Sequence, residues 1–277
     1  MNPLVSVVMT AYNEEATLAD TIQSVLDQTY RNLELIVVDD GSTDSTSTII
    51  SGYAAKDPRV HHVTSPVNVG LARAANLGIE ALGGKWYARI DAGDRWYPWK
   101  LEMQMAYLAA HPETGLAGTW AIHHNVVTGT ERLARTPESD QEIKQALWRM
   151  RCPFIHSTIV LRKSLLDEYG AYDPAYAYAV DLDLHFRIVF HTNTHNIQEA
   201  LCWRTTHSEH AVSTRHWKQQ LHCAVAIRWK NARIHHRPWH TYLRLAPALI
   251  RLCLPSGTKR WKQHALRRIS CRTSPGR

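Results

Sequence analysis

Three polar clusters in the N-terminal third each follow directly on an apolar run: Ala11-Tyr12-Asn13-Glu14, Asp39-Asp40-Gly41-Ser42 and Asp91-Ala92-Gly93-Asp94. Their side chains share a chemical use. A tyrosine can face a nucleobase, a carboxylate accepts from an imide N–H or a ribose hydroxyl, and carboxylates are the hard oxygen ligands that divalent cations prefer. Taken alone, residues 39–44 read equally well as a strand-to-helix turn with ordinary capping residues. A further pair, Asp181 and Asp183, sits where a helix is expected to start. A carboxylate there is stabilised as the anion, or merely caps the helix.

The stretches between the clusters must position them. Residues 5–10, 33–38, 60–64 and 86–90 are short β-branched or apolar runs, and residues 15–28, 42–50 and 71–82 carry helical signals, with Leu18, Ile22, Val25 and Leu26 at helical spacing. The order βαβαβαβ predicts an α/β fold with a mainly parallel sheet and helices on both faces. Ligands of such sheets bind outside the carboxyl ends of the strands, so the three clusters are expected to line one edge. Neither GxGxxG nor GxxxxGK[ST] occurs, which removes the main support for dinucleotide and P-loop readings. Further helices are expected at 98–110 and 138–148, a strand at 157–161, and a helix near Ser164; the remainder of 96–150 carries no readable motif.

The chain has 277 residues, enough for one large α/β domain with an appendage or for two unequal domains. Its five scattered cysteines form no CxxC pair, which suits a reducing cytosol. The opening MNPLVSVVMT lacks a basic leader region, and no apolar run reaches membrane-spanning length, so neither a signal peptide nor a spanning helix is expected. The net charge of +7 is segregated: residues 210–277 hold 15 Lys and Arg and no acid, while residues 1–209 hold 17 basic and 25 acidic residues. That pattern predicts an acidic body, 1–209, and a basic helical tail, 210–277, directed at something anionic.

The stretch VSVVMTAYNEEATLADTIQSVLDQTYRNLELIVVDDGSTDST resembles the opening of the family 2 glycosyltransferases of GT-A fold, an αβα sandwich. NVGLARAANLGI, ARIDAGDRWYPWKL, PFIHSTIVLRKSLL and YGAYDPAYAYAVDLDLHFR follow the order of that family's later motifs, so the resemblance spans roughly residues 4–190. It implies an inverting transfer of sugar from a nucleotide-sugar, UDP being the family's commonest donor nucleotide. By the same resemblance Ala11, Tyr12, Glu14, Asp39 and Asp40 hold the nucleoside, and Arg73 reaches the diphosphate or is simply a solvated helix residue. Asp91 and Asp94 hold a manganese or magnesium ion, Asp181 is the catalytic base with Asp183 as the second candidate, and His156 lies on the acceptor side or is structural. Two departures stand out. The family usually reads Asp-x-Asp-Asp where this chain has Asp91-Ala92-Gly93-Asp94, and Val180 replaces the usual glutamate before Asp181. Gly93 implies weaker metal affinity.

In the tail, Arg237, Arg244 and Arg251 recur every seven residues beside Trp239, Tyr242, Leu249 and Ile250, with Pro247 expected to interrupt the helix. Lys259, Arg260, Lys262, Arg267 and Arg268 follow. Such a segment suits an anionic membrane surface, at roughly 1 kcal/mol per basic residue, or else packs on the body with a solvated basic face. The expectation is a peripheral protein at the inner face of the cell membrane acting on a lipid-linked or glycan acceptor, with no nucleic-acid partner. The adjacent pairs His123-His124 and His235-His236 do not suit chelation, because strand neighbours point to opposite faces. A sugar nucleotidyltransferase would show a Gly-rich basic loop where Ala11-Tyr12-Asn13-Glu14 stands. A pseudo-glycosyltransferase that binds a nucleotide or a partner is the reading that Gly93 keeps open.

Overall fold

The structure, a computed structural model, describes residues 2–149, 153–206 and 216–253. The expected tail boundary near residue 210 and the basic residues after Pro255 lie outside them.

Period-two alternation in the first strand builds a three-layer body. Strand β1 (Val5–Ala11) sends Val5, Val7, Met9 and Ala11 into one apolar core, with Leu18, Ile22 and Val25 of α1 (Leu18–Leu26) and Leu101, Met105 and Leu108 of α4 (Lys100–Ala110). Val8 points the other way. It joins Ile36 and Val38 of β2 (Leu33–Asp40), Ala72, Ala74 and Ala75 of α3 (Leu71–Glu80), and Leu182 and Phe186 of α7 (Val180–Ile188). Because β1 and β2 are buried on both faces, they read as near-continuous apolar runs.

Strand β1 pairs in parallel with β2 and with β4 (Trp86–Asp91), and β2 pairs in parallel with β3 (Val60–Ser65), after α2 (Thr46–Ala54). The register sets Ala11 opposite Asp39 and Thr10 opposite Asp91, which brings the three polar clusters to one edge. Beyond β4 the sheet turns antiparallel. Strand β8 (Val160–Arg162) pairs antiparallel with both β4 and β6 (Thr114–Asn125), and β6 runs parallel to the long β9 (Asn193–Thr206). The short β5 (Arg95–Trp96) pairs with β9, and β7 (Glu131–Ala134) with β6.

A capping box starts α5 (Asp140–Trp148): the Ser139 hydroxyl accepts from the Glu142 N–H, and Glu142 reaches back to the Ser139 N–H. The expected strand at 157–161 is partly a 3-10 turn (His156–Thr158) before β8, and α6 (Lys163–Tyr169) follows.

The segment from residue 216 packs on the body. In α8 (Trp217–Ile234) Ile227 and Ala232 enter the second core, and the buried Arg228 donates to the Leu147 carbonyl at 2.6 Å. The interruption expected at Pro247 is present: the chain breaks between α9 (His240–Leu243) and α10 (Ala246–Cys253), with Pro247 in the first turn of α10, and the break separates Arg244 from Arg251. Arg237 lies over the Trp148 ring at 4.9 Å and Arg251 over Trp217 at 4.9 Å. These are cation–π contacts to the protein itself.

Candidate active site

The first two clusters brace one another. Asn13 adopts φ 55°, and its side-chain oxygen accepts from the Thr43 N–H at 2.8 Å, while its own N–H donates to Ser42 Oγ at 3.0 Å. This side-chain bonding holds 42–45 as a loop, so α2 starts at Thr46 rather than at Ser42. Tyr12 is exposed and its neighbour Ala11 is buried. Glu14 accepts from the Thr17 hydroxyl at 3.0 Å, at the entry to α1.

The two aspartates ending β2 divide the work. Asp39 accepts from the Ser42 N–H at 2.9 Å in a tight turn. Asp40 faces the other way and receives the N–H groups of Val69 and Gly70, at 2.7 and 3.0 Å. Both its oxygens are thus spent holding the loop that leads into α3, which is a positioning role. Gly41 makes that approach possible: at φ 72° a Cβ there would meet the Val67 carbonyl carbon at 2.5 Å. Arg73 is exposed in the first turn of α3.

At the end of β4, Asp91 Oδ1 accepts from Arg89 Nε and an Arg89 terminal nitrogen, at 3.1 and 2.9 Å, and lies 3.3 Å from His156 Nδ1. Burial alone would raise the Asp91 pKa, but the charges of His156, Arg89 and Arg204 outweigh it and hold the carboxyl well below the usual range. The other His156 nitrogen bonds the Tyr172 hydroxyl at 2.7 Å, which meets the Tyr87 hydroxyl at 2.9 Å. Asn76 locks Tyr172 through its backbone N–H and carbonyl, at 3.0 and 2.8 Å.

Asp94 is turned inward and only 4% exposed. Ser157 Oγ donates to it at 2.5 Å and the Thr205 N–H at 3.0 Å, tying the β4–β5 turn to the 3-10 turn and to β9. Burial, helped by the nearby Asp91 charge, pushes its carboxyl up to about 7. Between the two aspartates Gly93 has φ 90°, and its N–H donates to Thr21 Oγ1 at 3.0 Å. Of the carboxylates expected around a divalent cation, Asp91 alone is open to solvent, with its Oδ2 in no hydrogen bond among the described residues. Among those residues no group of three or more His, Cys, Asp or Glu side chains is arranged to hold a metal. One carboxylate fits a hard cation that keeps its waters and the donor's phosphate oxygens as its other ligands.

Asp181 and Asp183 share the first turn of α7 but not their surroundings. Asp183 is 1% exposed and pairs with Arg187 Nε at 2.8 Å, with Lys230 Nζ 3.8 Å away. Arg187 in turn donates to the carbonyls of Tyr169, Gly170 and Ala171, the turn that delivers Tyr172. Asp181 is partly exposed, and its carboxylate has no hydrogen bond or ion pair among the described residues. The ring of the buried His185 lies 5.1 Å from that of Phe154, which sets α7 beside the segment leading into the 3-10 turn that carries His156. Desolvation pushes His185 down to about 4, so it is neutral. Sequence reasoning missed Arg89, Tyr172 and Asn76. All three lay in motifs already quoted, Asn76 in NVGLARAANLGI, Arg89 in ARIDAGDRWYPWKL and Tyr172 in YGAYDPAYAYAVDLDLHFR, but nothing in those stretches assigned them a role.

A three-layer α/β body with its polar clusters gathered at the carboxyl edge of the parallel strands has the architecture of the GT-A fold. The profile of glycosyl transferase family 2 matches residues 6–170, and the chain belongs to that family of enzymes. It is 32% identical over 260 residues to a putative glycosyltransferase, EpsE, of Bacillus subtilis (strain 168), covering 92% of this chain and 91% of that one. To the amylovoran biosynthesis glycosyltransferase AmsE of Erwinia amylovora it is 34% identical over 187 residues, covering 66% and 69%. Among solved structures, S. aureus TarS 1-349 in complex with UDP-GlcNAc aligns with TM-score 0.64 at 17% identity, over 80% of this chain and 66% of that one. The mannosyltransferase PcManGT from Pyrobaculum calidifontis, in complex with GDP-Man and Mn2+, aligns with TM-score 0.62 at 19% identity, over 96% and 81%. At those identities the likeness is one of fold.

Proposed function

We propose that this chain is an inverting glycosyltransferase moving a sugar from a UDP-sugar onto a lipid-linked or polysaccharide acceptor in cell-surface glycan biosynthesis. The observation that carries the reading is the meeting of the three strand-end clusters, beside a helix that starts with a partly exposed, unengaged carboxylate, Asp181. Tyr12, Glu14 and Asp39 hold the nucleoside, Ala11 lets it approach the backbone, and Arg73 neutralises the diphosphate. Asp181 takes the acceptor's hydroxyl proton as the oxygen attacks the anomeric carbon. The bond from that carbon to the diphosphate breaks, and the nucleoside diphosphate leaves with the electron pair. A manganese or magnesium ion, held by Asp91 and donor oxygens, would supply charge neutralisation to that leaving group. His156, bonded to Asp91, and Asp183, fixed by Arg187, act as positioning residues in this reading.

The UDP-GlcNAc and GDP-Man complexes of the structural neighbours support the donor class, and the amylovoran biosynthesis relative supports the acceptor class. The charge segregation supports attachment of the tail, 210–277, to the inner face of the cell membrane. Among the described residues no helix is long and apolar enough to cross a membrane.

Gly93 and the inward Asp94 favour one second reading, a pseudo-glycosyltransferase that binds a nucleotide without turnover. Isothermal titration with UDP, with and without manganese, followed by a donor-hydrolysis assay, separates the two. Manganese-enhanced binding with turnover supports the enzyme; binding without turnover supports the second reading; absence of binding by UDP, GDP or any other nucleotide removes the donor site altogether.

A further inference from the structure

Thirteen large apolar side chains are exposed among the described residues, and six of them fall within one short stretch: Trp229, Ile234, Trp239, Leu243, Leu249 and Ile250. A groove of about 910 Å³ runs between α8 and α10, floored by Val225, Ala226, Leu249 and Leu252 and edged by Lys230 and Arg233. The exposed charges of this region, Lys230, Arg233, Arg237 and Arg244 among them, are all positive, because the chain holds no acid after Glu209. The groove also adjoins the candidate catalytic helix: Lys230 Nζ lies 3.8 Å from Asp183 Oδ1, two residues beyond Asp181.

We propose that the α8–α10 surface docks on an anionic lipid bilayer, with a lipid hydrocarbon chain in the groove and Lys230 and Arg233 among the headgroup phosphates. This docking rests on the membrane-face reading above and narrows attachment, within residues 210–277, to the folded surface of α8–α10 joined to α7. Charge and apolarity together select the occupant. Residues 254–277 of the same chain are themselves basic and would be repelled by the rim. A second copy would set like charges face to face. A nucleic acid would satisfy the cations and leave Ile234 and Leu249 unburied, whereas a bilayer interface satisfies both.

The test is co-sedimentation of the full chain with vesicles of phosphatidylcholine alone and of phosphatidylcholine mixed with phosphatidylglycerol. The variant is Ile234→Gln with Leu249→Gln, which removes apolar surface without changing charge at positions 58% and 42% exposed. The expected result is binding to the phosphatidylglycerol vesicles only, weakened by added salt and reduced about tenfold or more in the double variant. UDP titration of the same preparations should give equal affinity for both proteins, which excludes misfolding. No binding to anionic vesicles, or undiminished binding by the double variant, overturns the assignment. So does a wild-type dimer in light scattering that the double variant dissociates. Loss of UDP binding with retained vesicle binding would sink the donor reading and leave this one standing.

Discussion

His156 joins Asp91 to Tyr172: one ring nitrogen stands 3.3 Å from the Asp91 carboxylate and the other bonds the Tyr172 hydroxyl at 2.7 Å. The imidazole is 10% exposed, so water does not readily replace it. His156→Gln should therefore release Asp91 from one of its two side-chain partners. A hydrogen bond to a charged group contributes about 1.5–3 kcal/mol, so UDP affinity in manganese should fall by roughly tenfold, read by calorimetric titration. Unchanged affinity would mean that Asp91 is positioned by Arg89 alone.

Arg187 neutralises a carboxylate with almost no access to water. Arg187→Ala strands Asp183 and frees three carbonyls, a loss of about 3–5 kcal/mol by the usual cost of a broken buried pair. The measurement is the denaturant midpoint. Adding Asp183→Asn should recover part of the loss, since the two residues act as one unit; strictly additive losses would contradict the pairing.

The Asp94 carboxyl, pushed up to about 7 in the folded protein, sits above its ordinary value of 3.8, so between those values the native state binds the extra proton. Stability contributed by this group is full below about pH 4 and declines as pH rises toward 7, by a few kcal/mol at most, at roughly 1.4 kcal/mol per pH unit. Asp94→Asn keeps the shape without the charge. Compared at pH 5 and pH 8 by urea unfolding, the variant should lose less stability than the wild type over that interval. Parallel curves would show that Asp94 is ionised throughout.

Gly93→Asp restores the family's carboxylate at a position where φ is 90° and the nearest atom to a new Cβ is Thr17 Oγ1 at 3.6 Å. Space is available, but the backbone is strained for an L residue, at about 1–3 kcal/mol. The variant should melt at a lower temperature and bind UDP with a steeper manganese dependence. A lower melting temperature without the second effect would place residue 93 outside the metal's reach.

The parallel half of the fold was legible because β1, β2 and β4 are buried on both faces, are mostly apolar and end in the polar clusters themselves. Strands β6 and β9 were not. Gly115, Gly118, His123 and His124 in β6, and the polar run from Asn193 in β9, mask a strand pattern whose stability comes from pairing with each other and with β8. Within the site, Asp39 and Asp181 were candidates from their motifs, whereas the inward turn of Asp94 and the loop-holding role of Asp40 could not be read. Those depend on Thr205 and Val69, whose approach is set by tertiary packing.

The most direct test of Asp181 as the general base is Asp181→Asn, assayed for UDP-sugar turnover in manganese alongside UDP titration. The expected result is a fall in kcat of about 10²–10⁴, the usual contribution of a general base, with UDP affinity within about twofold of wild type. Turnover at the wild-type rate would contradict that role, and loss of binding together with turnover would show Asp181 to be structural.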